Sequence, residues 1–150
     1  MEISPVLLGP VKQLGEPGVR ALIARAEAVR KDGMIAVADT VSKAGMSQRS
    51  LATSLLARHF ARVSLLSTPV EGYVLACLAV TKATDPQYAD IEADTLILVG
   101  EEDKASSETM VVFLKEHIPK VRVVTMENVG HWHLAEDIEG VARAIKAFIE

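Results

Sequence analysis

Thr95-Leu96-Ile97-Leu98-Val99-Gly100, followed by Glu101-Glu102-Asp103-Lys104, is the stretch on which the fold turns. Five apolar or β-branched residues run without alternation and stop at a glycine. That pattern suits a short strand buried on both faces of a parallel sheet, because an antiparallel strand with one wet face would alternate. In open parallel sheets, ligands bind beyond the carboxyl ends of the strands, so acids placed directly after this strand are positioned to act.

Two further runs read as strands, giving core strands at about 3–8, 95–99 and 121–126. The first is Ile3 to Leu8. The other, Val121 to Met126, contains Arg122 and Thr125, more polarity than a central strand carries, which predicts a place nearer the sheet edge. Ser107 to His117 reads as a helix with Ser106 or Ser107 as its N-cap. Ile138 to Ile149 brings Ile138, Val141, Ala142, Ile145, Phe148 and Ile149 to one helical face. Strand, helix, strand, helix implies right-handed crossovers and an α/β chain.

Residues from about 16 to 90 show no convincing strand. Apolar residues recur there with helical periods, broken near Gly33 and Gly45. Thr68-Pro69-Val70-Glu71 has the form of a capped helix start, with Thr68 as cap, Pro69 at the first position and Glu71 closing a capping box. Asp85-Pro86 repeats the signal more briefly. A helical block of this length between two strands exceeds a simple crossover and reads as a cap or lid.

Composition limits the partners. The chain has 150 residues, 49% hydrophobic and 24% charged, with a formal net charge of −4. Lys and Arg are scattered, whereas nucleic-acid binding needs a clustered basic surface. No apolar run approaches a membrane span, and MEISPVLLGP lacks the charge and length of a signal peptide. One cysteine, Cys77, forms no internal disulfide. The expectation is a soluble cytoplasmic protein without nucleic-acid or membrane partners, and no cofactor-binding motif stands out.

Chemistry concentrates at two places. Asp103 lies after the second strand. His131, in Gly130-His131-Trp132-His133, follows the third at a glycine that allows a sharp turn. A histidine shuttles protons near neutral pH, and a carboxylate can orient its ring and stabilise its cation. Alternatives stay open. Glu101 and Glu102 suggest that Asp103 belongs to a solvated acidic turn. His131 and His133, with Glu136 and Asp137, supply ligand types that zinc accepts, although no second compact pair completes the set. His59 and His117 read as surface or helix-end residues, Cys77 as packing, and Arg20, Arg25 and Arg30 as a solvated helix face.

TLILVGEEDK (95–104) followed by VGHWHLAE (129–136) resembles the C-terminal half of α/β-hydrolases, notably the branch of 3-oxoadipate enol-lactonases and esterases. VLLGPVKQLGEPG (6–18) resembles the strand after that family's nucleophile helix, and TPVEGYVLACLAV (68–80) resembles its cap. The resemblance implies a partial α/β-hydrolase fold: a three-stranded parallel sheet with flanking helices and an inserted all-helical cap. It implies that Asp103 is the triad acid and His131 the triad histidine. The substrate class implied is a small ester or lactone.

The family's nucleophile elbow, G-x-S-x-G, has no match. The nearest string, Gly45-Met46-Ser47-Gln48-Arg49, has arginine at the second glycine and no preceding strand, so Ser47 reads as a loop or helix-cap serine. The expectation is a chain inactive alone, requiring an N-terminal half to complete the site. The alternative is a non-catalytic binding or interaction protein derived from a hydrolase. In either case the first strand's exposed edge predicts pairing with another chain.

Overall fold

The computed structural model describes residues 4–150. Three parallel strands form one sheet in the order β1 (Val6–Leu8), β2 (Thr95–Gly100), β3 (Val121–Met126). Of the first expected strand, Ile3 lies outside the described residues, and the strand itself spans Val6–Leu8.

β2 is buried along its whole length, as its unbroken apolar run requires. Its side chains divide by pleat. Leu96 and Leu98 pack with Val6, Val124, Met126 and Val129 beneath α8 (Ile138–Ile149), which contributes Val141, Ala144, Ile145 and Phe148. Ile97 points the other way, with Leu7, Val121 and Val123, beneath α6 (Glu108–His117) and its Leu114. The register Val6↔Leu96↔Arg122 and Leu7↔Ile97↔Val123 keeps each layer continuous across the sheet. Leu96, Ile97 and Leu98 are fully buried, and each such burial contributes on the order of 1.5–3 kcal/mol. Among the described residues β3 lies at one margin of the sheet, in keeping with its mixed polarity, and β1 at the other.

Between β1 and β2 the described residues form helices and no strand: α1 (Glu16–Asp32), α2 (Ile35–Ala44), α3 (Gln48–Thr53), α4 (Leu55–Leu66), α5 (Val70–Lys82) and a 3-10 turn at Tyr88–Asp90. This block has its own core of Ala26, Val29, Val37, Ala38, Leu65, Val74 and the buried Cys77. Gly33, at φ +78°, turns the chain out of α1 in a conformation that a side chain would strain. Among the described residues no single helix is long and apolar enough to cross a membrane; α4 and α5 together reach that length but meet at a 95° bend.

Two expected helix starts are corrected. α5 begins at Val70 with Pro69 as N-cap and no side-chain cap. The Thr68 hydroxyl instead donates to Ser64 O of the preceding helix at 3.0 Å, which removes it from any capping box. Asp85-Pro86 opens no α-helix, because the Asp85 carboxylate accepts from Gln13 N and Tyr88 Oη. At α6, Ser107 occupies the N-cap position without a cap hydrogen bond, and the Ser106 hydroxyl donates to Pro10 O.

Candidate active site

The turn after β2 and the loop after β3 touch through their backbones. Glu101 N donates to Met126 O and Glu102 N to Val129 O, both at 2.9 Å. A Cβ on Gly100 would collide with the carbonyls of Val129 and Gly130, so only glycine allows this approach. Asp103 and His131, 28 residues apart, are thereby brought side by side: His131 Nδ1 lies 2.9 Å from Asp103 Oδ2.

The two partners differ in exposure. The Asp103 side chain is fully buried, while that of His131 is 41% exposed. Asp103 Oδ1 accepts the amides of Ala105 at 2.8 Å and Ser106 at 3.0 Å. With Oδ1 so engaged, Oδ2 is left for the imidazole. Burial alone would push this carboxyl up; the His131 hydrogen bond, the Ser106 amide, the His131 charge and the Ala105 amide outweigh it, and the group stays below its ordinary range. The Asp103 hydrogen bond raises the His131 pKa above its ordinary value, against partial burial, with the charges of Asp103 and Glu136 adding to the rise. A carboxylate at Nδ1 fixes the proton there and leaves Nε2 as the basic nitrogen.

His133 is 4% exposed and adjoins the same carboxylate. Its Nε2 lies 3.7 Å from Asp103 Oδ2 and 3.1 Å from the Gly100 N–H. These two contacts call for different protonation states, since a protonated Nε2 cannot accept an amide hydrogen. Burial lowers the His133 pKa, more than Asp103 raises it, so the neutral ring accepting from Gly100 is the form that fits. Gly9, at the end of β1, closes the other side. At φ +55°, its absent Cβ would stand 2.8 Å from His133 Cε1 and 2.9 Å from both Asp103 Oδ2 and His131 Nδ1. The sequence reading missed both roles. The signal for Gly9 was present in Gly9-Pro10 at the end of an apolar run, the same kind of signal that marked Gly100.

Asp103 is not a solvated loop carboxylate: it is buried, while Glu101 beside it is exposed and Glu102 partly so. Glu101 accepts the amide of Asn128, a residue at φ +56°, and Glu102 accepts that of Gln48. The side chains considered for zinc each have a hydrogen-bond partner of their own. His131 bonds Asp103, His133 accepts from Gly100, Glu136 accepts from Gly130 and Ser47, and Asp137 caps α8 by accepting the Gly140 amide. Among the described residues no group of three or more His, Cys, Asp or Glu is arranged to hold a metal ion. Ser47 is the N-cap of α3, its hydroxyl accepting from Ser50 N at 3.2 Å, and is no neighbour of the imidazole by any hydrogen bond. His117 stacks on Phe113 at the end of α6.

Several solved structures share this arrangement of elements. An esterase from Thermogutta terrifontis matches at 22% identity and TM-score 0.90, over 97% of this chain and 55% of that one. An enol-lactonase from Burkholderia xenovorans LB400 matches at 23% identity and TM-score 0.86, over 99% and 56%. MenH from S. aureus matches at 22% identity and TM-score 0.81, over 97% and 58%. The chain therefore has a partial α/β-hydrolase fold, corresponding to the second half of that fold, and spans little more than half the length of these structures. No protein-family model and no curated protein matches the sequence.

Proposed function

We propose that this chain furnishes the acid and the base of a serine-hydrolase site for a small carboxylic ester or lactone. In this reading Asp103 holds the imidazole and stabilises its cation, and His131 Nε2 takes the proton of an attacking serine and returns it to the leaving group. In this reading a second, nucleophile-bearing segment supplies the serine and the donors for the tetrahedral oxyanion, since no described serine, threonine or cysteine hydrogen-bonds the imidazole. The helical block serves as the cap that shapes the acyl pocket and excludes water.

The observation that carries the proposal is the 2.9 Å contact between a fully buried carboxylate and a half-exposed imidazole at the carboxyl ends of adjacent parallel strands. A purely structural pair has no need of such unequal exposure. A base must meet its substrate while its orienting acid stays dry. The likeness to an esterase and an enol-lactonase supports the ester or lactone class.

The test is hydrolysis of an activated ester by the chain alone and by the chain joined to a nucleophile-bearing segment. Alone, the chain should give only the slow turnover of an activated histidine. The completed protein should turn over far faster, and Asp103→Asn should reduce its kcat by about 10⁴-fold by placing the proton on the wrong nitrogen. Enzyme-level turnover by the chain alone, or a completed enzyme indifferent to His131→Ala, contradicts the proposal.

A second reading, an interaction role without catalysis, draws on β1. Among the described residues its outer margin pairs with nothing, and Leu8 is 39% exposed. Such an edge invites another strand.

A further inference from the structure

His131 is held from a direction that the acid–base pair does not explain. Its backbone N–H donates at 2.6 Å to Gly45 O, in the turn between α2 and α3. A Cβ on Gly130 would collide with that same carbonyl and lie 2.7 Å from Ser47 N. A Cβ on Gly45 would sit 2.7 Å from Trp132 Nε1, so the indole rests directly on this turn. Trp132 also joins the cluster of Met46, Ala57 and Ala61. The histidine loop and the helical block, far apart in sequence, thus meet backbone to backbone.

One side chain fastens both sides. Glu136, at the end of the short helix α7 (His133–Glu136), accepts the Gly130 N–H with Oε1 and the Ser47 N–H with Oε2, each at 3.0 Å. Among the described residues it forms no ion pair. Both oxygens of the carboxylate are taken by amides, one on each side of the junction. Glutamine would have to turn its NH2 toward one of these donors, and aspartate is one methylene shorter.

We infer that Glu136 is a positioning residue for His131: its carboxylate clamps the histidine loop to the α2–α3 turn, so the imidazole is in place only while the helical block is seated. This rests on the reading of His131 as the base. It adds that seating of the block and placement of the base are one event rather than two.

Hydrogen exchange and imidazole titration test the clamp without any turnover, so failure of the hydrolase reading leaves the result interpretable. In the wild-type chain, the amides of Ser47, Gly130 and His131 should exchange through one shared opening, with opening constants within about threefold of one another. A spread beyond about tenfold shows separate openings and overturns the clamp. In Glu136→Gln, with β2 amides still protected, those three amides should exchange at least about tenfold faster. His131 should also titrate lower, because a charge that raises its pKa has gone. A lower titration with unchanged exchange reports the missing charge alone and overturns the inference. Faster exchange with an unmoved titration leaves a merely structural tie and overturns it equally. Should the variant fail to fold, the wild-type exchange pattern decides.

Discussion

Asp103→Asn separates the charge of the acid from its shape. The substituted amide can keep its oxygen on the Ala105 and Ser106 N–H groups, as Asp103 Oδ1 does at 2.8 and 3.0 Å. It must then turn its NH2 toward His131 Nδ1, where the carboxylate oxygen accepted at 2.9 Å. Two donors cannot face each other, so the ring moves its proton to Nε2 or swings away. A hydrogen bond to a charged group contributes about 1.5–3 kcal/mol. Two effects lower this. The His131 side chain is 41% exposed and screened, and removing the charge relieves the burial of Asp103. The carboxyl nevertheless stays below its ordinary range, which shows that its partners outweigh burial.

The net loss at pH 7 should therefore be about 1.5 kcal/mol, or about 4–6 °C in Tm for a chain of this size. Asp103→Ala also orphans the buried Ser106 amide and should lose about 1–3 kcal/mol more. Because the folded carboxyl has a lowered pKa, its contribution is complete above the ordinary 3.8 and disappears as pH falls through the folded value. Melts followed by circular dichroism across pH should show the Asp103→Asn deficit at pH 7 and its disappearance in acid. Nitrogen chemical shifts should place the His131 proton on Nε2 in the variant. An unchanged Tm at pH 7, or a variant ring that keeps its proton on Nδ1, refutes the reasoning.

Other outcomes follow from neighbouring contacts. Gly130→Ala should destabilise by about 3 kcal/mol or more, since its Cβ meets the backbone of Gly45, Met46 and Ser47 rather than a movable side chain; a near-native melt contradicts this. His133 is buried with a lowered pKa, so the unfolded chain binds its proton first. Stability should fall as pH drops below about 6.5 toward the folded value, and His133→Gln should flatten that slope in equilibrium denaturation. Light scattering should find the isolated chain paired through β1 or aggregated; a clean monomer with a cooperative melt counts against an active edge.

The sequence reveals what short-range pattern and strong burial dictate. The run at β2 suits a strand buried on both faces and is one, and α8 has the bounds its apolar stripe suggested, although Ile138 and Ile149 at its ends stay exposed. Asp103 and His131 are legible because each follows a strand at a glycine, and their contact needs only that the strands be neighbours. The failures lie where a polar side chain chose a partner other than the one its local pattern suggested. Thr68 looked like a cap and donates back to Ser64 O; Asp103 could have been a solvated loop carboxylate and is buried, while Glu102 beside it holds the distant Gln48 amide. Glu136 had no role assigned beyond an open metal alternative, and it joins Gly130 to Ser47, the latter 89 residues from it. Local spacing says nothing of such bonds, because the backbone amides they satisfy are set free by tertiary turns.

Electrostatic coupling of Asp103 to His131 is the property on which the proposed role of the imidazole as a base depends. Titration of the His131 ring by NMR tests it directly, in the wild-type chain and in Asp103→Asn. The expected result is a wild-type midpoint above the ordinary 6.5 and a lower midpoint in the variant. A wild-type midpoint at or below 6.5 that Asp103→Asn leaves in place would contradict it.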